Sequence, residues 1–156
     1  MNKLLTQFLD ADRKLMEAVY LVSIAAYFLH TLVLWFTDFI TGVGNASGIF
    51  FNMFFSCTGG ASIAITTSLL LSLRKRKESA TGKRLLVVAM ALVFSRAVAD
   101  VVYFGLAGKL LQYGYFFILF KVLLLILYLH RYYIVSAVTQ ALTTGKRGCS
   151  QWIPGF

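Results

Sequence analysis

The chain has 156 residues, of which 59% belong to the set AVILMFWYC and only 13% are charged, against roughly 45–50% apolar and a quarter charged in ordinary soluble domains. Mean hydropathy is +0.77, which leaves too little polar surface to clothe a water-soluble globule of this size and excludes that class first. The 15 Lys and Arg against 6 Asp and Glu give a formal net charge of +9, which in a soluble chain would suggest nucleic acid; here it is read against a bilayer, and no nucleic-acid partner is expected.

At the start of the chain, Leu4, Leu5, Phe8 and Leu9 recur at helical spacing among Lys3, Thr6, Gln7, Asp10 and Asp12. The pattern predicts a short helix lying in the headgroup region or docked on a neighbour. The alternative is the cytoplasmic start of a long first helix. No small-residue cleavage site follows a short apolar core, so a cleaved signal peptide is not expected.

Four stretches then reach the roughly 17–25 residues needed to cross hydrocarbon. The first, about 15–36, carries Glu17 and His30 and closes on Trp35 and Phe36; the second, about 48–73, opens with Phe50, Phe51, Phe54 and Phe55. The third, about 85–106, contains Arg96 and Asp100, and the fourth, about 111–133, contains Lys121 and ends in Tyr128, His130, Arg131, Tyr132 and Tyr133. Long unbroken apolar runs indicate helices, because a closed barrel reads as short alternating strands. The single proline, Pro154, lies outside all four. The expected fold is therefore an all-α integral membrane protein with four transmembrane helices in an antiparallel bundle. It forms one domain, with a tail over about 134–156.

The basic residues orient it. All but Lys109, Arg96 and Lys121 of the 15 fall in the N-terminal segment, the connection between spans two and three, or the tail. Those segments alternate with the others along the chain, so the positive-inside rule puts both termini in the cytoplasm. A bacterial inner membrane is the expected location.

Arg96 and Asp100 are the sharpest feature, since an ionisable side chain near the bilayer centre costs on the order of 2.5–3.5 kcal/mol on insertion scales. Spaced i to i+4, they share a helix face and can pair. Counting inward from Leu111, Lys121 returns to nearly the depth of Arg96, so Arg96, Asp100 and Lys121 are expected to form one buried cluster with an excess positive charge. Such a cluster either conducts or senses an ion, binds a partner that supplies a carboxylate, or only fixes helix register.

His30 and His130 invite a bis-imidazole haem, but roughly 10 Å or more separates them along the normal. His30 is read instead as a hydrogen-bonded packing residue and His130 as an interfacial one. No cofactor is expected. Cys57 and Cys149 cannot support a disulfide framework.

Span two holds two small-xxx-small series, Gly60, Ala64 and Ser68, and Thr58, Ser62 and Thr66, read as a helix-packing face, with a pore lining or a hinge at Gly59 and Gly60 as the functional alternative. The connection with Arg74, Lys75, Arg76, Lys77, Lys83 and Arg84 serves topology and is a candidate contact for anionic lipid head groups or a partner. Asn45, Ala46 and Ser47 match a glycosylation pattern, and Lys146, Arg147, Trp152 and Phe156 give the tail a basic, aromatic tip. No catalytic constellation, phosphate loop or metal-ligand spacing is present, so an enzyme is not expected.

The functional expectation is a small subunit that assembles with other membrane subunits through helix contacts and the buried cluster, as in a secretion or transport machine. Alternatives are a homo-oligomeric transporter or channel that uses the cluster, or an immunity-type protein against a pore-forming toxin.

Overall fold

A computed structural model describes residues 3–41, 46–75 and 80–150. Four α-helices follow one another, α1 (Lys3–Thr41), α2 (Ala46–Arg74), α3 (Ala80–Leu106) and α4 (Tyr115–Ser150), with a π-helical turn at Leu110–Gly114 leading into α4. Within them, four segments are long and apolar enough to cross a membrane: Thr6–Phe36, Gly48–Arg74, Ala80–Leu106 and Leu110–Ala137. Helix is what hydrocarbon imposes on such sequences, because every backbone N–H and C=O must be paired within the segment. The described residues are almost entirely helical, and four helices long and apolar enough to cross a membrane mark an integral membrane protein.

Two boundaries differ from expectation. The short N-terminal helix is not a separate element, since α1 runs unbroken from Lys3 to Thr41. No Gly or Pro interrupts the sequence between Leu9 and Leu15, and Asp12 is drawn inward by Arg131 at 2.5 Å. The tail likewise begins as helix, because α4 continues to Ser150. Trp152, Phe156 and Asn45 lie outside the described residues, as do Arg76 and Lys77, and the side chains of Lys146, Arg147 and Cys149 are not described.

The link from α3 to α4 is a Schellman stop. Gly108 has φ +66°, a conformation that costs glycine little. Its N–H donates to the Gly105 carbonyl at 3.2 Å and that of Lys109 to Phe104 at 3.0 Å, which satisfies two carbonyls at the helix end.

Each helix packs on the next, and α4 returns to α1 by the least extensive of these interfaces. Among the described residues no backbone approach joins α1 to α3 or α2 to α4. The interior has three layers. At the Asp12 end, Met16, Tyr20, Leu69, Leu70, Leu73, Leu86, Ala89, Val93, Leu124 and Tyr128 belong to one cluster. At the other end, Leu34, Phe55, Tyr103 and Phe104 form a second, with Phe51 and Phe117 against it. Charged side chains lie between. The outer surface carries large apolar groups such as Phe28, Phe94, Leu119 and Ile126, which suits lipid and would be an aggregation liability in water. Along the α1–α4 seam this surface is indented by two clefts of about 180 and 220 Å³, which share Val22 and Phe120.

At the Asp12 end two ion pairs tie α1 to its neighbours. Asp12 takes Arg131 and lies 3.4 Å from His130 Nε2, all but His130 being buried. Glu17 takes Arg74 at 2.7 Å in the open. Removing the exposed pair by Glu17→Gln is expected to change stability by under about 1 kcal/mol. Asp12→Ala, which strips a carboxylate from a buried guanidinium, should cost roughly 2–4 kcal/mol. Equilibrium unfolding in mixed micelles measures both, and equal losses would contradict this ordering.

Candidate functional site: a buried charged centre

Arg96, Asp100 and Lys121 do meet, and a fourth side chain joins them from α1. Arg96, Asp100, Lys121 and His30 are 0%, 0%, 1% and 2% exposed. Asp100 Oδ2 takes the Lys121 ammonium in a direct ion pair. Arg96 turns away from the carboxylate one turn along its own helix. Its Nη2 lies 2.9 Å from His30 Nδ1, and its Nη1 donates to the Phe55 carbonyl at 2.9 Å and approaches Thr58 Oγ1 at 3.5 Å. The expected i to i+4 pair therefore gives way to a pairing between helices, because Lys121 reaches the carboxylate from α4.

The hydrogen bonds fix the imidazole. Arg96 and Lys121, the latter at 3.2 Å, both converge on His30 Nδ1. Neither has a lone pair to offer, so Nδ1 is the acceptor and the ring proton sits on Nε2. That N–H faces Asp100 Oδ1 at 3.4 Å. The imidazole stacks on Phe117 with centroids 4.1 Å apart, and the guanidinium carbon lies 5.4 and 5.0 Å from the Tyr27 and Phe55 ring centres. With His30 neutral, one carboxylate faces two cations. The remaining positive charge is spread over a backbone carbonyl, an imidazole nitrogen and two aromatic faces, the partners open to a cation in a dry interior.

Gly59 makes room for this. A Cβ there would stand 2.7 Å from Thr31 Oγ1 and 3.0 Å from Arg96 Nη1. Without one, α1 and the guanidinium both close on the α2 backbone one turn beyond Phe55. Gly59 is thus a close-approach position, whereas Gly60 has open space where its side chain would be.

The two small-residue series on α2 face different surroundings. Ser62 and Thr66 are buried and Thr58 partly so; Thr66 Oγ1 lies 3.2 Å from the Tyr128 hydroxyl on α4. Gly60, Ala64 and Ser68 are exposed on the outer face, where Ser68 Oγ donates back to the Ala64 carbonyl at 2.9 Å. Of the basic connection, Arg74 holds Glu17, and Lys75, Lys83 and Arg84 are exposed or half-buried apart from the centre. His130 stands with Asp12, in a different layer from His30.

His30 is the site residue that sequence reading missed. Its signal was present: Asp12, Met16, Tyr20, Ser23, Tyr27, His30 and Leu34 recur every three or four residues, placing Asp12, Ser23, Tyr27 and His30 on one face of α1. All seven are buried. No family model matches the chain, and neither a curated protein nor a solved structure is significantly similar to it. Function must therefore be argued from the centre itself.

Gly59→Ala should destabilise the protein by about 1–3 kcal/mol through overpacking against Thr31 and Arg96. Gly60→Ala, in open space on the same helix, should be neutral or slightly stabilising. Unfolding midpoints of the two variants decide this, and equal effects would refute the close approach.

Proposed function

We propose that the chain is a small inner-membrane protein that handles a small ion within the bilayer, using the centre of His30, Arg96, Asp100 and Lys121. The supporting observation is the complete enclosure of two cations and one carboxylate by side chains from all four helices. Intramembrane ionisable groups are expensive and, where they face a protein interior, mark ion or proton routes by default. Contacts of Tyr20 with Tyr128, and of His30 with Phe117, fit an antiparallel bundle. The distribution of basic residues supports cytoplasmic termini. Transport of this kind needs no covalent chemistry from the chain.

A second reading, a subunit held in a larger assembly, is favoured by the outward series of Gly60, Ala64 and Ser68, a surface on which another helix can approach closely. In that reading the contact is made by the lipid-facing surface, since the charged centre is enclosed. The two readings coincide in a homo-oligomeric transporter.

Reconstitution tests the first. Proteoliposomes carrying the wild-type chain are expected to dissipate an imposed ion gradient, and Asp100→Asn to fall to the rate of empty vesicles while eluting like wild type in mild detergent. Absence of wild-type flux would overturn ion handling. Failure of Asp100→Asn to accumulate would assign the ion pair to structure. For the second reading, mass measurement in mild detergent should find companions that Gly60→Leu dissociates.

A further inference from the structure

Buried polar atoms are nearly always partnered. Among the described residues all but one of the exceptions, Asp12 Oδ1 apart at the far end, lie at or beside the charged centre: the Tyr27 hydroxyl, the Ser62 hydroxyl, Arg96 Nε, His30 Nε2 and Asp100 Oδ1. Two of these, His30 Nε2 and Asp100 Oδ1, face each other. The other three are donors contributed by three different helices.

Their level follows from helix geometry. Arg96 Nη1 and Nη2 reach Thr58 and His30. Ser62 lies one turn beyond Thr58 on α2, and Tyr27 one turn before His30 on α1, so both stand about 5 Å from those residues toward the Asp12 end. Nε is the guanidinium nitrogen nearest the backbone of α3, and the guanidinium carbon lies 5.4 Å from the Tyr27 ring centre. Two hydroxyls and one N–H on a cation are thus placed toward one level of the interior, with a further buried hydroxyl pair, Thr66 with Tyr128, below them.

Charge decides what suits this level of the interior. The only carboxylate of the centre is taken by Lys121 and faces His30, which leaves an uncompensated positive charge on the Arg96 side. A cation is repelled there. A water molecule satisfies donors and leaves the charge, whereas a monovalent anion accepts from all three donors and neutralises the centre. The aromatic layer of Phe55, Tyr103 and Phe104 closes one side and the Met16, Leu69 and Leu73 layer the other, so the occupant must be compact. We propose that Tyr27, Ser62 and Arg96 bind one small anion of the halide class beside the Asp100–Lys121 ion pair. This rests on the ion-handling reading and names the ion.

The test uses the purified full-length chain in an uncharged detergent, unfolded thermally in mixtures of chloride and the bulky anion gluconate at constant ionic strength. Chloride is expected to raise the midpoint by several degrees and to saturate. Tyr27→Phe and Ser62→Ala, each lacking one donor and no charge, should need about tenfold more chloride for the same effect, the worth of one hydrogen bond to a charged group. Identical midpoints in chloride and gluconate, the behaviour of a water-filled site, would overturn the proposal, as would a wild-type chloride response in both variants. Flux in proteoliposomes separates the two claims. Saturable chloride stabilisation without any flux upholds the site and removes the transport reading; flux without chloride stabilisation removes the site and upholds ion handling.

Discussion

The ion pair between Asp100 and Lys121 is the constraint on which the interior is organised. Lipid tails are as apolar as leucine, so hydrophobic contact gives membrane helices little reason to choose one partner over another. A lysine and an aspartate in hydrocarbon have one. Pairing joins α3 to α4 at a fixed depth, and the same ammonium then meets His30 and brings α1 to that depth. Arg96 completes the ring by reaching the Phe55 carbonyl on α2. The carboxylate thereby ties α3 to α4 and faces His30 of α1, while Arg96 ties α3 to α2.

The layers on either side follow from the same interaction. Electrostatic attraction strengthens as water is removed, which favours a sealed Asp100–Lys121 pair while raising the cost of the unmatched Arg96 charge. At one end Phe51, Phe55, Tyr103, Phe104 and Phe117 supply rings that pack edge to face or stacked. At the other, Met16, Leu69, Leu73 and Leu86 fill the space up to Asp12. Between the centre and that apolar layer run the hydroxyls of Tyr27, Ser62, Thr66, Tyr128 and Ser23. No comparable set lies toward the aromatic end among the described residues. The polar interior is therefore one-sided. The α1–α4 seam is its least tightly packed wall, and the cleft there reaches Tyr27, His30 and Lys121.

Much of this was legible in the sequence, for identifiable reasons. Spans were read from apolar length alone, which hydrocarbon thickness makes nearly decisive. Arg96, Asp100 and Lys121 were found together because a short turn at Gly108 makes α3 and α4 neighbours and rise per residue then gives depth. The exchange of partners was hidden, since spacing shows that Arg96 and Asp100 share a face but not that a lysine arrives from another helix with a better approach. His30 escaped for a similar reason. A lone histidine in an apolar run is ordinary, and only the α1 stripe from Asp12 to Leu34, taken as a whole, points it inward. Gly59 was inseparable from Gly60 on paper, because which of two adjacent glycines faces a neighbour depends on how the helix is rotated.

The four side chains differ in what helix register asks of them. Register requires one favourable contact, and Asp100 with Lys121 provides it as a pair of zero net charge. Adding Arg96 introduces a second cation with no second carboxylate, and the interior has to accommodate it with a helical carbonyl, an imidazole acceptor, two ring faces and a glycine that keeps its Nη1 free of a clash. Each of these constrains the sequence at a position where a plain apolar residue would pack in lipid without penalty. As a link between helices Arg96 ties α3 to α2 through the Phe55 carbonyl, a contact that an uncharged donor could also make. For a centre that receives an ion the charge itself has a use, because an uncompensated cation would supply the attraction and the unpartnered hydroxyls beside it the contacts.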